Sequence, residues 1–241
     1  MAGDISPADR DNSGNCRATE PYMSDMSTEA ALTTRQPRKN NPEKTRQEIL
    51  LAAVTEFAEQ GLSGARVDAI AERTRTSKRM IYYYFGSKEQ LYLAVLEKLY
   101  GDIRATEEDL KLDELAPDEA IRRLVEFTFE HHNRNVDFIR VVSIENIHKG
   151  AHIAKSRVIA ALNKSVLTSI SSILDRGVAG GLFRQDIDPL DLHMLISSFC
   201  FFRVSNRHTF STIYQIDLSE TAVFERHKRM IGDAVLRYVL A

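Results

Sequence analysis

The residues from Arg73 to Lys88, RTRTSKRMIYYYFGSK, combine cations and tyrosines in a pattern suited to nucleic-acid recognition. The stretch holds five Lys or Arg residues and no acid, although the formal net charge of the chain is -2. Cations bind phosphate oxygens, arginine matches the O6 and N7 atoms of guanine, and tyrosine reaches phosphate or a thymine methyl group. The stretch therefore indicates a local nucleic-acid-binding surface, with a solvated basic face as the alternative interpretation.

Helical spacing sorts these side chains onto two sides. Ile81 and Phe85 are four residues apart, so they are expected to face the core. The outer side then carries Lys78, Arg79, Met80, Tyr82 and Tyr83. Lys88 follows at the start of the next helix, where a phosphate contact is easily made. We interpret these residues as a DNA-reading surface; packing of the tyrosines against a bracing helix is the alternative.

A second candidate site lies in the helix predicted to begin at Pro189. Its apolar positions recur three or four residues apart and lead to a cation, in the order Leu192, Ile196, Phe199 and Arg203. A cation on a buried face needs a partner. Arg203 could pair with an internal acid such as Glu145. It could instead bind the carboxylate or polar edge of a small aromatic effector against Phe199 and Phe202, or reach solvent near the helix end.

Other groupings of reactive residues do not complete a metal-binding or catalytic site. Glu145 and His148 have a Glu-x-x-His spacing, but a di-metal helix bundle needs that motif twice. Two cysteines, Cys16 and Cys200, are too few for a zinc or disulfide framework, and no phosphate loop or nucleophile motif is present. We therefore expect no metal, no cofactor and no enzymatic activity. The pair of histidines that begins at His131 is expected to be exposed or to interact with a helix end.

Apolar spacing and capping residues predict an all-α fold with about nine helices. In the N-terminal part, Asn41 caps a helix that ends at Gly61, and Ser87 with Gln90 forms a capping box. Two short helices joined by a TRTS turn lie between them, over about 66–73 and 77–84. Later helices are predicted from Pro117 and over about 135–147, 153–178, 189–205 and 219–240, the last one capped by Asp217 or Ser219.

Composition divides the chain into three parts. Residues 1–40 are predicted to be a disordered extension, because they are polar and have no apolar period; translation could start at Met1, Met23 or Met26. Residues 41–103 form a three-helix domain with a helix-turn-helix over 66–85, and residues 104–241 form a larger helical domain. The chain has no run of 18 apolar residues and no apolar N-terminal segment, so we expect a cytoplasmic protein without a membrane partner.

Residues 49–96 resemble the DNA-binding domain of the TetR (tetracycline-repressor-like) family. The matching segments are ILLAAVTEFAEQGLSGARVDAIAERT and SKRMIYYYFGSKEQLYLAV, with the family positions at Phe57, Gly61, Ile70, Ala71, Ile81, Tyr82, Tyr84, Phe85, Ser87, Lys88, Glu89 and Leu91. The C-terminal half, including RGVAGGLFRQDIDPLDLH, is similar to the subgroup that contains the pyrimidine-utilisation regulator. The turn departs from the family pattern, since Arg75 occupies a glycine position and would carry about 1 kcal/mol of strain if left-handed.

The resemblance implies a transcriptional repressor that binds operator DNA and is released by a small-molecule effector. It places Lys78, Arg79, Met80 and Tyr82 at bases and Tyr83 and Lys88 on phosphates. Arg66 occupies the position of a threonine that often contacts phosphate in the family. It could serve as a cationic substitute for that threonine, or it could be a solvated surface residue.

The resemblance further implies a homodimer. Helices 189–205 and 219–240 would pack on their symmetry mates through Ala222, Val223, Met230, Ile231, Val235, Leu236 and Val239; an intramolecular core is the alternative for this stripe. Helices four to eight would hold the effector, a small aromatic or heterocyclic metabolite. The alternative function is a helical small-molecule-binding or interaction protein without a DNA role.

Overall fold

The computed structural model describes residues 41–241, which fold into ten α-helices and contain no β-strand. The helices are α1 (Pro42–Gly64), α2 (Val67–Thr74), α3 (Lys78–Phe85), α4 (Lys88–Glu108), α5 (Pro117–Arg134), α6 (Val136–Ile147), α7 (Arg157–Ala179), α8 (Pro189–Ser205), α9 (Arg207–Tyr214) and α10 (Thr221–Val239). The all-α prediction is thus confirmed. The predictions made for residues 1–40 lie outside the described residues.

The N-terminal caps form as their residue types predict. The Asn41 side chain accepts a hydrogen bond from the backbone of Lys44, and the Ser87 hydroxyl accepts one from the backbone of Gln90. Gly61 interrupts α1 with a φ of 69°, a conformation in which glycine has no steric cost. These local signals therefore fix the ends of the helices that carry the predicted DNA-reading surface.

One apolar core joins α1 to α4 with parts of α6 and α7. Its largest side chains include Phe57 and Tyr92, whose rings meet edge to face at 5.1 Å. Val141 of α6 is fully buried in the same core. α4 also runs unbroken past the predicted domain boundary at residue 103. The N-terminal helices and the C-terminal helices are therefore connected by packing as well as by the chain.

A second core lies among α5, α7, α8 and α10. It includes four of the α10 positions expected at a dimer interface, namely Ile231, Val235, Leu236 and Val239, and a fifth, Val223, is also buried within the single chain. The dimer assignment of these five residues is wrong, because their own chain already buries them. Met230 remains exposed on α10.

Three helix predictions need correction. The segment after residue 206 contains a helix, α9, which has no side-chain cap and no buried residue to reveal it in the sequence. α7 begins at Arg157, because Ser156 is extended and caps it. α10 begins at Thr221 without a side-chain cap, since Asp217 instead accepts two hydrogen bonds from Ser219.

By length and composition alone, α7 is apolar enough to cross a membrane, which differs from the expectation drawn from uninterrupted apolar runs. Core helices of soluble proteins meet the same criterion. Ile170, Ile173 and Leu174 of α7 are buried in the second core, and 28% of the apolar window of this helix is buried.

Candidate DNA-binding surface and effector cavity

The position of α3 is fixed by the turn before it and by two buried side chains. Arg75 adopts the left-handed conformation with φ 52° and ψ 35°, so the strain expected at this position, about 1 kcal/mol, is present. The Ser77 hydroxyl then accepts a hydrogen bond from the backbone N–H of Met80 at 3.2 Å and caps α3. Ile81 and Phe85 are buried, as predicted. One face of α3 is therefore anchored, and the opposite face is presented to solvent.

The solvent-facing side of α3 carries a guanidinium and two tyrosines. Arg79 is exposed and has no ion pair within residues 41–241. Tyr83 is 77% exposed, and Tyr82 and Met80 are also exposed. Tyr83 meets the ring of Tyr84 edge to face at 5.4 Å, but most of its surface is open to water. The tyrosines are therefore available to an external partner.

The two lysines of the predicted surface have internal partners. Lys78 Nζ lies 2.5 Å from Asp68 Oδ1 of α2, and Lys88 Nζ donates to the Ser63 carbonyl oxygen at 3.3 Å. Both amines lie in partly exposed positions. A phosphate oxygen would therefore have to replace a weak surface contact at each of them.

Arg66 lies beside this surface, just before α2. Its backbone N–H donates to Glu56 Oε1 at 2.9 Å, while its side chain is exposed. Glu56 is buried and also lies 3.5 Å from the Arg73 guanidinium. Arg73 is therefore paired with acids of α1, whereas the Arg66 side chain is exposed.

A cavity of about 450 Å³ lies among α4, α5, α6, α7 and α8. Its volume falls in the range of small-molecule sites. Aromatic rings form one part of the wall, at Tyr100, Phe138 and Phe201. Polar side chains from all five helices form another, namely Arg104, Glu107, Thr128, His132, Asn146, Asn163, His193, Ser197 and Ser198. A cavity lined by both aromatic rings and polar side chains suits an organic ligand with polar groups of its own.

A buried ion pair lies in the cavity wall. The Arg104 guanidinium donates one hydrogen bond to Glu107 and another, of 3.3 Å, to Asn163 Oδ1. Burial raises the pKa of Glu107, and the adjacent Arg104 charge opposes that rise. The two opposite charges compensate each other, so the pair adds no net charge to the cavity.

The histidines of the cavity are neutral at physiological pH. Burial, the neighbouring His131 and the charge of Arg104 lower the pKa of His132 to about 3. Burial and Arg104 likewise lower the pKa of His193 to about 4. The expectation that His132 is exposed is wrong, because it is buried and stacks on Phe138 with ring centroids 5.6 Å apart.

Acid should destabilise the protein through His132. Its pKa is near 6.5 in the unfolded chain and about 3 in the folded one, so the unfolded state binds more protons between these values. We expect the free energy of unfolding to fall as pH decreases through this window, with His132 contributing on the order of 2 kcal/mol by about pH 5. Urea denaturation at neutral and acidic pH measures this loss, which should be smaller in His132→Phe. An equal loss in both proteins would contradict a neutral, buried His132.

Three of the four residues predicted to bind the effector lie together, but not in this cavity. Phe199, Phe202 and Arg203 line a smaller apolar pocket of about 150 Å³ with α9 and α10. Arg203 is buried, and its ion pair with Glu145 is not formed. Instead it donates to Asn133 and, at 2.5 Å, to the Leu218 carbonyl oxygen. Both the internal-acid and the solvent alternatives for Arg203 are therefore wrong.

Glu145 has a structural role elsewhere. Its carboxylate accepts hydrogen bonds from the backbone N–H groups of His152 and Ile153, at 2.7 and 3.0 Å, and from the His152 ring at 3.0 Å. It thereby holds the 3₁₀ turn Ile153–Lys155 that precedes α7. Within the described residues, no cluster of three potential metal ligands is found.

The cavity residues Arg104, Glu107, His132 and His193 were not identified from the sequence. Each has a polar or charged side chain, a type that is mostly exposed in folded proteins. The one available signal was the i, i+3 spacing of Arg104 and Glu107, which allows an ion pair on one helix face.

Comparisons with known proteins agree with this arrangement. Residues 49–95 match the model of bacterial regulatory proteins of the tetR family, and residues 117–235 match a tetracyclin repressor-like C-terminal domain. The HTH-type transcriptional repressor NicS of Pseudomonas putida is 38% identical over 200 residues, covering 83% of this chain and 94% of NicS. RutR of Escherichia coli O157:H7, a pyrimidine-utilisation regulator, is 30% identical over 173 residues, 70% of this chain and 78% of RutR.

Solved structures show the same fold. A putative transcriptional regulator from Streptomyces coelicolor superposes with a TM-score of 0.62 at 26% identity, covering 81% of this chain and 98% of that protein. The family models match both the helix-turn-helix and the C-terminal helices, and the NicS match extends over nearly the whole relative. The chain therefore belongs to the TetR family of bacterial regulatory proteins and is a DNA-binding transcriptional regulator, not an enzyme.

Proposed function

We propose that this regulator is a homodimeric repressor that binds operator DNA through α3 and is released by a small molecule in the 450 Å³ cavity. The observation that carries the proposal is the outer face of α3, where Arg79, Tyr82 and Tyr83 are exposed on a helix anchored from behind. Such a helix fits the major groove, and its side chains suit base edges and phosphates. Because operator DNA lies in the bacterial cytoplasm, we place the protein there.

The proposed contacts divide into two groups. Lys78, Arg79, Met80 and Tyr82 read base edges, while Arg66, Tyr83 and Lys88 hold the DNA backbone. Lys88 leaves the Ser63 carbonyl when a phosphate competes for the amine. Residues 41–103 form the DNA-binding domain, and residues 104–241 form the ligand-binding and dimerisation domain.

The proposed dimer surface is the apolar face shared by α8 and α10. Phe199, Phe202 and Met230 are exposed there, and Phe202 and Met230 are each 54% exposed. Contiguous exposed apolar side chains mark interaction surfaces. We therefore assign Phe199 and Phe202 to dimerisation and Arg203 to the structure beneath them.

The proposed response to the effector passes through α6. Val142 and Asn146 of this helix line the cavity, whereas Val141 lies in the core that contains the DNA-binding helices. The Tyr92 hydroxyl of α4 donates to the Val141 carbonyl oxygen at 3.4 Å. A small aromatic or heterocyclic ligand that displaces α6 would therefore move α4. The two α3 helices of the dimer would then no longer match major grooves about 34 Å apart.

A gel-shift experiment with DNA from the region upstream of the protein's own coding sequence tests the proposal. We expect a discrete complex that persists against excess unrelated DNA and weakens steeply with salt. The absence of any specific complex would favour the alternative, a helical small-molecule-binding or interaction protein without a DNA role.

A further inference from the structure

An ion pair joins the two helices of the helix-turn-helix at the N-terminal end of α3. Lys78, the first residue of α3, places its Nζ 2.5 Å from Oδ1 of Asp68, which lies in the first turn of α2. The side chain of Lys78 is 52% exposed and that of Asp68 is 40% exposed. The N-terminal residues of a recognition helix are the ones that reach base edges. The carboxylate of Asp68 is therefore open to solvent beside the proposed DNA contact.

The fold of the helix-turn-helix does not depend on this pair. Both helices are anchored by buried apolar side chains, among them Ile70 of α2 and Ile81 of α3. An exposed ion pair adds little to stability, because water already solvates both charges. Asp68 also interacts favourably with the N-terminus of α2, whether or not Lys78 is present. The contact between an acid and a DNA-reading lysine therefore affects DNA binding more than folding.

The cations of the proposed DNA-binding surface differ in their partners. Lys88, assigned to phosphate, donates to the uncharged carbonyl oxygen of Ser63 at 3.3 Å. Arg79 has no ion pair within residues 41–241. Lys78 is held instead by a full negative charge. An uncharged carbonyl does not repel an incoming phosphate, whereas a carboxylate does. Of these three cations, Lys78 is therefore the one whose access to phosphate is opposed.

The carboxylate of Asp68 acts differently on a phosphate and on a base edge. A phosphate oxygen that bonds the Lys78 amine also comes close to Asp68, and like charges at short separation repel each other. Guanine O6 and N7 are uncharged acceptors, so they meet no such repulsion. An ammonium group has three donors, so one N–H can stay on Asp68 while the other two bind a base. The pair therefore favours base contacts over phosphate contacts.

We propose that Asp68 is a specificity-determining residue: it keeps Lys78 from the phosphates of unrelated DNA and leaves the amine to a base edge of the operator. This inference rests on the proposed function, since it takes α3 as the helix that reads the operator. Unrelated DNA is bound through its phosphates, so withholding one cation weakens that binding. The operator complex keeps its base contact. Asp68 thereby widens the difference in affinity between operator and unrelated DNA.

Asp68→Asn is expected to strengthen binding to unrelated DNA and to make that binding more dependent on salt. The released Lys78 adds about one phosphate contact, which steepens the slope of log K against log[salt] by about 0.9. This corresponds to roughly a threefold larger loss of affinity between about 50 and 200 mM salt. On upstream DNA the slope should stay as in the wild type, because Lys78 already binds a base there. Fluorescence anisotropy with a random-sequence duplex and with upstream DNA measures both slopes.

Two further proteins separate this role from the simple loss of a negative charge. Glu72→Gln is the matched control, because Glu72 is exposed on the same helix and forms no ion pair within residues 41–241. It should leave the slope for unrelated DNA unchanged. In Asp68→Asn/Lys78→Ala the steeper slope should disappear, since its cation is gone. An unchanged slope in Asp68→Asn, or an increase that Glu72→Gln reproduces or that survives in the double variant, would overturn the proposal.

The same titrations distinguish this inference from the proposed function. Wild-type protein that prefers upstream DNA to unrelated DNA, combined with an unchanged slope in Asp68→Asn, contradicts the role of Asp68 alone. Wild-type protein that binds both DNAs equally contradicts the proposed function and, with it, a role of Asp68 in discrimination.

Discussion

Replacing Phe202 by glutamate is expected to convert the proposed dimer into a monomer and to reduce operator affinity by roughly a hundredfold or more. Phe202 is 54% exposed on α8, next to Phe199 and across from Met230 of α10. In a two-fold symmetric interface each substitution occurs twice, so two carboxylates would be desolvated close together. A monomer engages one half-site and loses the gain in effective concentration that a second linked binding domain provides.

Sedimentation equilibrium and DNA titration measure the two consequences of this substitution. Ile147→Glu is the matched control, because Ile147 is also highly exposed but lies on α6. Circular dichroism should show both variants to be folded, since neither side chain is buried. A Phe202→Glu protein that remains dimeric and binds the operator normally would show that α8 does not form the interface.

Arg79→Ala is expected to cost about 1–3 kcal/mol of operator binding, roughly a 5- to 150-fold loss of affinity, and to relax the preference at one base pair. Arg79 is exposed on the outer face of α3 and forms no ion pair within the described residues. Its guanidinium can therefore bond two acceptors of one guanine. Lys164→Ala removes an exposed cation from α7 and controls for net charge.

Fluorescence anisotropy with the operator and with single-base variants of it tests this assignment. The Arg79→Ala protein should discriminate less at one position, whereas Lys164→Ala should match the wild type. Equal affinity of wild type and Arg79→Ala for the operator at several salt concentrations would contradict base reading by Arg79.

The DNA-binding helices were predictable because their determinants are local. Asn41, Ser77 and Ser87 cap their helices through contacts to residues three positions ahead, and the position of Arg75 in the turn follows from the family pattern. Sequence separations this short leave little for tertiary packing to change. Residue types, spacing and caps therefore sufficed to describe the helix-turn-helix.

The cavity was not predictable in the same way. His132 lies within a polar run on α5, yet residues from α6 and α8 bury it. The partners of Arg203 come from α5 and from the loop before α10, which its own periodicity does not indicate. The apolar stripe of α10 correctly predicted a buried face. It did not show whether that face is covered by the same chain or by a second copy of it. Such contacts depend on how distant helices pack.

Hydroxyl-radical footprinting on the protein's own upstream DNA tests the central claim most directly, because it locates α3 on the duplex. The account predicts two protected segments whose centres lie about one helical turn, roughly 34 Å, or a whole number of turns apart. Phe202→Glu should fail to produce them. A single unpaired segment, or protection that persists in Phe202→Glu, would contradict a dimeric repressor that reads DNA through α3.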